Sequence, residues 1–112
     1  MKKFLVLYRS PVSASEMMVN ATPEQAKAGM DAWMAWAKRA GEGIVDLGTP
    51  LGDGKSVASG SVSASKSQVT GFSILQAESE DAVIALLRDH PHLGTPGDSS
   101  IEVHEFLALP GM

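Results

Sequence analysis

The segment Lys3 to Arg9 is apolar on both of its alternating sides: Phe4, Val6 and Tyr8 recur on one, Leu5 and Leu7 on the other. A strand at a protein surface needs only one apolar side, so this pattern predicts a strand covered on both faces. Val69 to Ala77 repeats the demand. There Phe72, Ile74 and Gln76 alternate with Gly71, Ser73 and Leu75, and neither side is uniformly polar. Any fold for this chain has to cover two strands from above and below.

The elements between and around these strands follow from local signals. Pro11 to Ala21 reads as a polar loop carrying Met17 and Met18. Thr22 is a suitable N-cap, Pro23 suits the first helical position, and Gln25 can close a capping box, so a helix is predicted from there to Ala40. Gly41 supplies its stop. At 100° per residue Ala26, Gly29, Met30, Trp33, Ala37 and Ala40 share the predicted buried face, with Trp36 at its rim. Ile44 to Leu47 is a short strand ended by Gly48 and Pro50. Leu51 to Gln68 is rich in Ser and Gly and reads either as a weak hairpin through Val57 and Val62 or as a mobile loop. Ser79 caps a second helix whose buried stripe is Ala82, Val83, Leu86 and Leu87. Ile101 to Ala108 is the last strand.

The order strand, helix, strand, strand, helix, strand is the ferredoxin-like βαββαβ arrangement, an α+β fold with an antiparallel sheet. A length of 112 residues makes it a single domain, residues 1–112. Both helices of that fold lie on one face of the sheet. The doubly apolar strands therefore need a cover for the other face, and a second copy of the same sheet is the simplest one. A homodimer joined through sheet faces is expected.

Charge and composition exclude several partners. The net charge of −4 lacks the basic footprint that nucleic acid requires. The apolar run Phe4 to Tyr8 is too short for a signal peptide's core, and no stretch approaches the ~20 apolar residues of a membrane span. The expectation is a cytoplasmic protein that binds neither nucleic acid nor membrane. Cysteine is absent, which removes thiolate nucleophiles and cysteine-based metal sites.

All three histidines lie between His90 and His104. Histidine is the side chain most readily set to exchange a proton near neutral pH. His90 falls on the buried stripe of the second helix, just before Pro91, where an imidazole can satisfy helix-end carbonyls or be aimed into a pocket. His104 alternates with Glu102 and Phe106, which puts it on the sheet's second face. A zinc site from His90, His92 and His104 is disfavoured because the first and last belong to opposite faces, so neither metal nor cofactor is expected. Gly52-Asp53-Gly54-Lys55-Ser56 imitates a phosphate loop but lacks the first glycine and the following helix. Trp33 and Trp36 read as a core residue and its border, or as an aromatic wall for a ligand. Tyr8 and Arg9, at the end of the first strand, are candidate ligand contacts, Arg9 as an anion clamp. Asp46 and Asp89 are candidate carboxylate partners for a histidine.

The opening Phe4-Leu5-Val6-Leu7-Tyr8, the join from Ala40-Gly41 to Leu51, Thr70-Gly71-Phe72-Ser73-Ile74, His90-Pro91-His92 and Ser100 to Phe106 together resemble the YCII-related domain family. That family lies among the dimeric ferredoxin-like α/β barrels. The resemblance implies a homodimer with a pocket beside the sheet, near the ends of the second helix and first strand. It also implies a histidine–aspartate acid–base pair, from which this chain departs. Its first helix holds no histidine. The aspartate that would precede the proline after the second helix appears as His90, with Asp89 one place earlier. The Asp-Gly-Pro-Phe motif of a related branch is missing, and Val62 to Lys66 is Ser-rich.

The functional expectation is a small organic ligand, with cofactor-free isomerase- or lyase-type chemistry if the protein is an enzyme. His90 and Asp89 are then the catalytic candidates, and Arg9, His92, His104, Trp33 and Tyr8 the ligand contacts. The alternative is a non-catalytic ligand-binding or structural dimer.

Overall fold

The computed structural model describes residues 1–95 and 97–111. Its elements run β1 (Lys2–Arg9), α1 (Ala14–Asn20), α2 (Pro23–Ala40), β2 (Ile44–Pro50), β3 (Lys55–Ala58), β4 (Ser61–Ala64), β5 (Val69–Ala77), α3 (Glu80–Leu87) and β6 (Ser100–Glu105). Four strands form an antiparallel sheet in the order β2-β5-β1-β6, while β3 and β4 pair separately. Without α1 and the small hairpin the order is βαββαβ, with β1 and β5 central. This is the ferredoxin-like α+β arrangement expected from the sequence.

Register decides which side of the sheet each residue takes, because paired residues share a face. Phe4 lies opposite Leu75, Val6 opposite Ser73 and Val103, and Tyr8 opposite Gly71 and Ile101. Phe4, Val6, Tyr8, Leu75, Ala77, Val83, Leu87 and Trp36 are the buried core. The other face carries Leu5 beside Ile74 and His104, and Leu7 beside Phe72 and Glu102. These four apolar side chains are only half-buried. The doubly apolar pattern of β1 thus corresponds to one face under the helices and one open face.

Both helix starts follow their sequence signals. Thr22 and Gln25 form a reciprocal capping box, with Pro23 in the first turn. The Ser79 hydroxyl accepts from the Ala82 amide, and Glu80 and Asp81 occupy the positive end of α3.

Five local expectations change. Pro11 to Ala21 is not all loop: Ser13 caps the two-turn α1, its hydroxyl accepting from the Glu16 amide. The buried face of α2 is shorter than its periodicity implied, since Ala26, Gly29 and Met30 are exposed. The part of α2 packed on the core begins at Trp33 and continues through Trp36, Ala37 and Ala40. The two tryptophans exchange roles, Trp36 being 1% exposed and Trp33 half-buried. Strand β2 runs on through Gly48 and Pro50 by way of a register shift. Gly48 has φ +81°, and a Cβ there would run into the Phe72 carbonyl, so only glycine lets β2 continue. Finally, β6 stops at Glu105, three residues short of the expected end. Leu51 to Gln68 takes the first of its two expected forms, a hairpin that pairs Val57 with Val62.

Candidate functional site

Helix α3 ends at Leu87, and the chain turns through Arg88, Asp89 and His90 into a short 3₁₀ helix, Pro91–Gly94. Pro91 suits the first position of that helix because no amide is needed there. His90 is its N-cap, and its imidazole does the work usually given to Ser or Asp: Nδ1 accepts from the His92 amide at 2.9 Å. The ring is thereby turned inward, and His90 is 2% exposed.

Three aromatic rings enclose it. The centroids of Trp33 and Trp36 lie 4.4 Å from that of His90, both edge-to-face, and Tyr8 lies at 4.8 Å. Tyr8 also meets Trp33 at 4.8 Å and His92 at 5.4 Å. Gly71 lies opposite Tyr8, and a Cβ there would press on the Thr49 carbonyl of β2 at 3.3 Å. Trp36 Nε1 donates to the Leu86 carbonyl at 2.8 Å, which ties α2 to the end of α3 and fixes one wall.

The polar atoms of the cluster define its chemistry. Ser73 Oγ donates to the Leu47 carbonyl at 2.6 Å, so it accepts from the Tyr8 hydroxyl at 2.8 Å. The Tyr8 hydroxyl is therefore spent inside the protein, and burial pushes its pKa up to about 12 against the opposing Ser73 bond. His92 Nε2 donates to the Arg9 carbonyl at 2.8 Å, and the His92 carbonyl accepts from Thr95. His92 is thus a strut between the 3₁₀ helix and the end of β1.

His90 is different. Its Nδ1 lone pair is occupied by the His92 amide, so the neutral ring carries its proton on Nε2. That Nε2 is buried and has no hydrogen-bond partner among the described residues. Desolvation, helped by nearby His92 and opposed by Asp89, pushes the pKa down to about 4. At neutral pH the group is an uncharged donor with nothing to donate to among the described residues. A buried polar group left in that state costs about 1–3 kcal/mol.

The structure divides the sequence-derived residues. It brings Tyr8, Trp33, His90 and His92 together. Asp89 is not turned towards His90: its carboxylate pairs with Arg39 at 3.2 Å on the surface, and the expected Asp89–His90 pair is not formed. Arg9 and His104 lie on the open face of the sheet, because Arg9 follows Tyr8 in β1 and alternation reverses its direction. There Arg9 donates to the Ser67 carbonyl and pairs with Glu102 at 3.1 Å, while His104 meets the other Glu102 oxygen at 3.1 Å. The His104 hydrogen bond and the Arg9 charge hold the Glu102 carboxyl below the usual range. Trp36 and Ser73 are cluster members that the sequence reading set at the rim or passed over. A lone serine facing a buried tyrosine in an apolar strand was the available signal.

A family comparison bears on this arrangement. The YCII-related domain matches residues 1–107 of the 112. The chain belongs to the YCII-related domain family. A search among curated proteins finds no match. Membership accounts for the ferredoxin-like fold of this YCII-related domain and leaves its chemistry to be read from the cluster itself. No group of three or more histidine, cysteine or carboxylate side chains that could hold a metal occurs among the described residues. No helix among them is long and apolar enough to cross a membrane.

Proposed function

We propose that this YCII-related protein is a homodimer that binds a small organic molecule, with His90 as a neutral hydrogen-bond donor to an oxygen of the ligand. The observation that carries the reading is the buried Nε2–H of His90, which has no acceptor among the described residues and is surrounded by aromatic rings. Apolar walls with one oriented polar group are the usual make-up of a small-molecule site. Tyr8 and Trp36 are each 1% exposed, whereas Trp33 is half-buried, so Trp33 is the ring a ligand would displace.

The same tautomer governs the enzymatic version. A ring whose Nδ1 is occupied and whose pKa is about 4 is a poor general base at neutral pH. It is suited to polarising a carbonyl as an uncharged donor. Any isomerase- or lyase-type step at this site therefore uses His90 as the electrophilic partner and takes its base from elsewhere. Non-catalytic binding needs nothing further, and it is the reading we favour.

The dimer is supported by the open face, where Leu5, Leu7, Phe72 and Ile74 are only half-buried and no helix among the described residues covers them. Native mass spectrometry of untagged protein, gently purified from its own host, tests both parts. A dimer mass with an added small molecule is expected, and His90→Phe should lose that molecule, its affinity falling by about tenfold for one lost hydrogen bond. A monomer refutes the dimer. A ligand retained equally by His90→Phe refutes the assignment to His90.

A further inference from the structure

The cluster around His90 limits the kind of molecule it can take, because most of its protons are already used. The Tyr8 hydroxyl donates to Ser73 Oγ, and Ser73 Oγ donates to the Leu47 carbonyl. Trp36 Nε1 donates to the Leu86 carbonyl and His92 Nε2 to the Arg9 carbonyl. Thr70 Oγ1, on the strand beside Tyr8, donates to the Tyr8 carbonyl. None of these protons is left for a ligand. The buried Nε2–H of His90 is, since it has no acceptor among the described residues. A molecule held here therefore has to bring a lone pair.

It has no use for a charge. On the elements that build the cluster, Lys2, Lys3, Lys27, Lys38, Arg39 and Arg88 are exposed, and Arg39 is paired with Asp89. Arg9 is on the open face of the sheet beside Glu102. Val69–Ala77 and Pro91–Gly94 contain no lysine or arginine. An anion on His90 Nε2 would lose its hydration with no described cation in reach, and it would approach the neighbouring Asp89 carboxylate. A cation fares no better. Aromatic faces attract it, but the His90 N–H presents a proton to it.

The walls set the size and shape. Two open clefts of about 160 and 460 Å³ lie near the base of the β3–β4 hairpin, and no ring of the cluster lines either. Tyr8, Trp36 and His90 are sealed, so the wall that can yield is the half-buried Trp33. Its departure frees the space of one indole. The body that enters has to replace the contacts Trp33 makes with His90 at 4.4 Å and with Tyr8 at 4.8 Å. A flat apolar body does that at least cost.

We infer that the ligand of this site is an uncharged carbonyl compound with a flat apolar body the size of an indole, seated in place of Trp33 with its oxygen on His90 Nε2. The inference rests on the His90 reading above and narrows its ligand from any small organic molecule to this class. It also sets aside the anion that Arg9 would have suited, since Arg9 and His90 lie on opposite faces of the sheet.

Four probes that share one indane body test the class: 1-indanone, indane, indane-1-carboxylate and protonated 1-aminoindane. Protein labelled with ¹⁵N at histidine is titrated with each at about pH 8, above the range in which imidazoles ordinarily protonate. The His90 ring signals, assigned by their loss in His90→Phe, report contact at Nε2, and the fluorescence of Trp33 and Trp36 gives the affinity. 1-Indanone is expected to move the His90 Nε2 signal and to bind about tenfold tighter than indane, the worth of one hydrogen bond. The carboxylate and the ammonium should bind at least about tenfold more weakly than the ketone. The comparison among probes needs only the wild-type protein; in His90→Phe the preference for 1-indanone over indane should vanish. A carboxylate or ammonium that moves His90 as readily as the ketone overturns the class and leaves His90 as the site. Equal binding of indane and 1-indanone overturns the class together with the donor role. If none of the four moves His90 at its solubility limit, the site itself falls.

Discussion

Replacing His90 by Asn separates the protonation of this group from the rest of the acid response. Asn can keep the N-cap role, its Oδ1 accepting from the residue 92 amide in place of Nδ1. It cannot titrate. In the folded wild type the His90 pKa is pushed from 6.5 down to about 4 by burial among Tyr8, Trp33 and Trp36. Between those values the unfolded chain takes up a proton that the folded chain refuses. Stability from keeping His90 neutral is therefore fully present above pH 6.5 and is lost as pH falls towards 4. At about 1.4 kcal/mol per unit the window amounts to about 3 kcal/mol. Urea unfolding at fixed protein concentration, followed by the fluorescence of Trp33 and Trp36, measures this between about pH 7 and about pH 4. His90→Asn should be less stable than wild type at neutral pH, by about 2–4 kcal/mol for the lost ring packing. Its stability should then decline with acid more gently, the two curves approaching by about 3 kcal/mol across the window. Every other residue is the same in both proteins, so the comparison isolates the exchange at position 90. Parallel curves would show that His90 protonates freely in the folded state, and the neutral-donor argument would fail with it.

Asp89→Asn should change stability by no more than about 0.5 kcal/mol, because its partner Arg39 and the carboxylate are both largely exposed. A loss above about 1 kcal/mol in the same urea assay would mean that Asp89 supports His90 after all. Gly48→Ala should cost at least about 2 kcal/mol, read as a clear drop in Tm, since the new Cβ meets the Phe72 carbonyl at a positive φ. Trp36→Phe removes the donor to the Leu86 carbonyl and should cost about 1–3 kcal/mol by calorimetry. An unchanged Tm would show that this bond does not join α2 to α3.

The fold was legible where the physics is local or periodic. Thr22, Pro23 and Gln25 announced the start of α2, Ser79 that of α3, and the alternation in Lys3–Arg9 and Val69–Ala77 gave the two central strands. What misled was reading periodicity as burial. The row of Ala26 and Met30 continues the stripe of Trp33 and Ala37 without a break, yet α2 packs on the core only from Trp33 onward. Helical spacing fixes which residues share a side, whereas burial also depends on how far the neighbouring element extends. The two tryptophans changed places for a similar reason. They lie three positions apart on one helix, and the hydrogen bond to Leu86, a partner 50 residues away, decides which one is sealed.

Site membership splits along the same line. In a strand a single parity decides it: Tyr8 and Arg9 are consecutive, so they cannot serve one pocket on one face of the sheet. His104 was placed on the open face by that rule, from its pattern with Glu102 and Phe106. Applied to Arg9, the rule separates the anion clamp from the imidazole it was meant to assist. No such parity exists between the end of α3 and the 3₁₀ helix. Asp89 and His90 are neighbours in an irregular turn, and the sequence gives no period by which one should face inward. The aromatic box settles it energetically. A carboxylate buried there would lose its hydration with no cation in reach, whereas an imidazole can enter neutral, with Nδ1 satisfied by the amide two residues on. The feature that makes this corner a candidate site, an uncharged ring with one unused N–H, therefore follows from the requirement that whatever turns inward at the end of α3 be able to shed its charge.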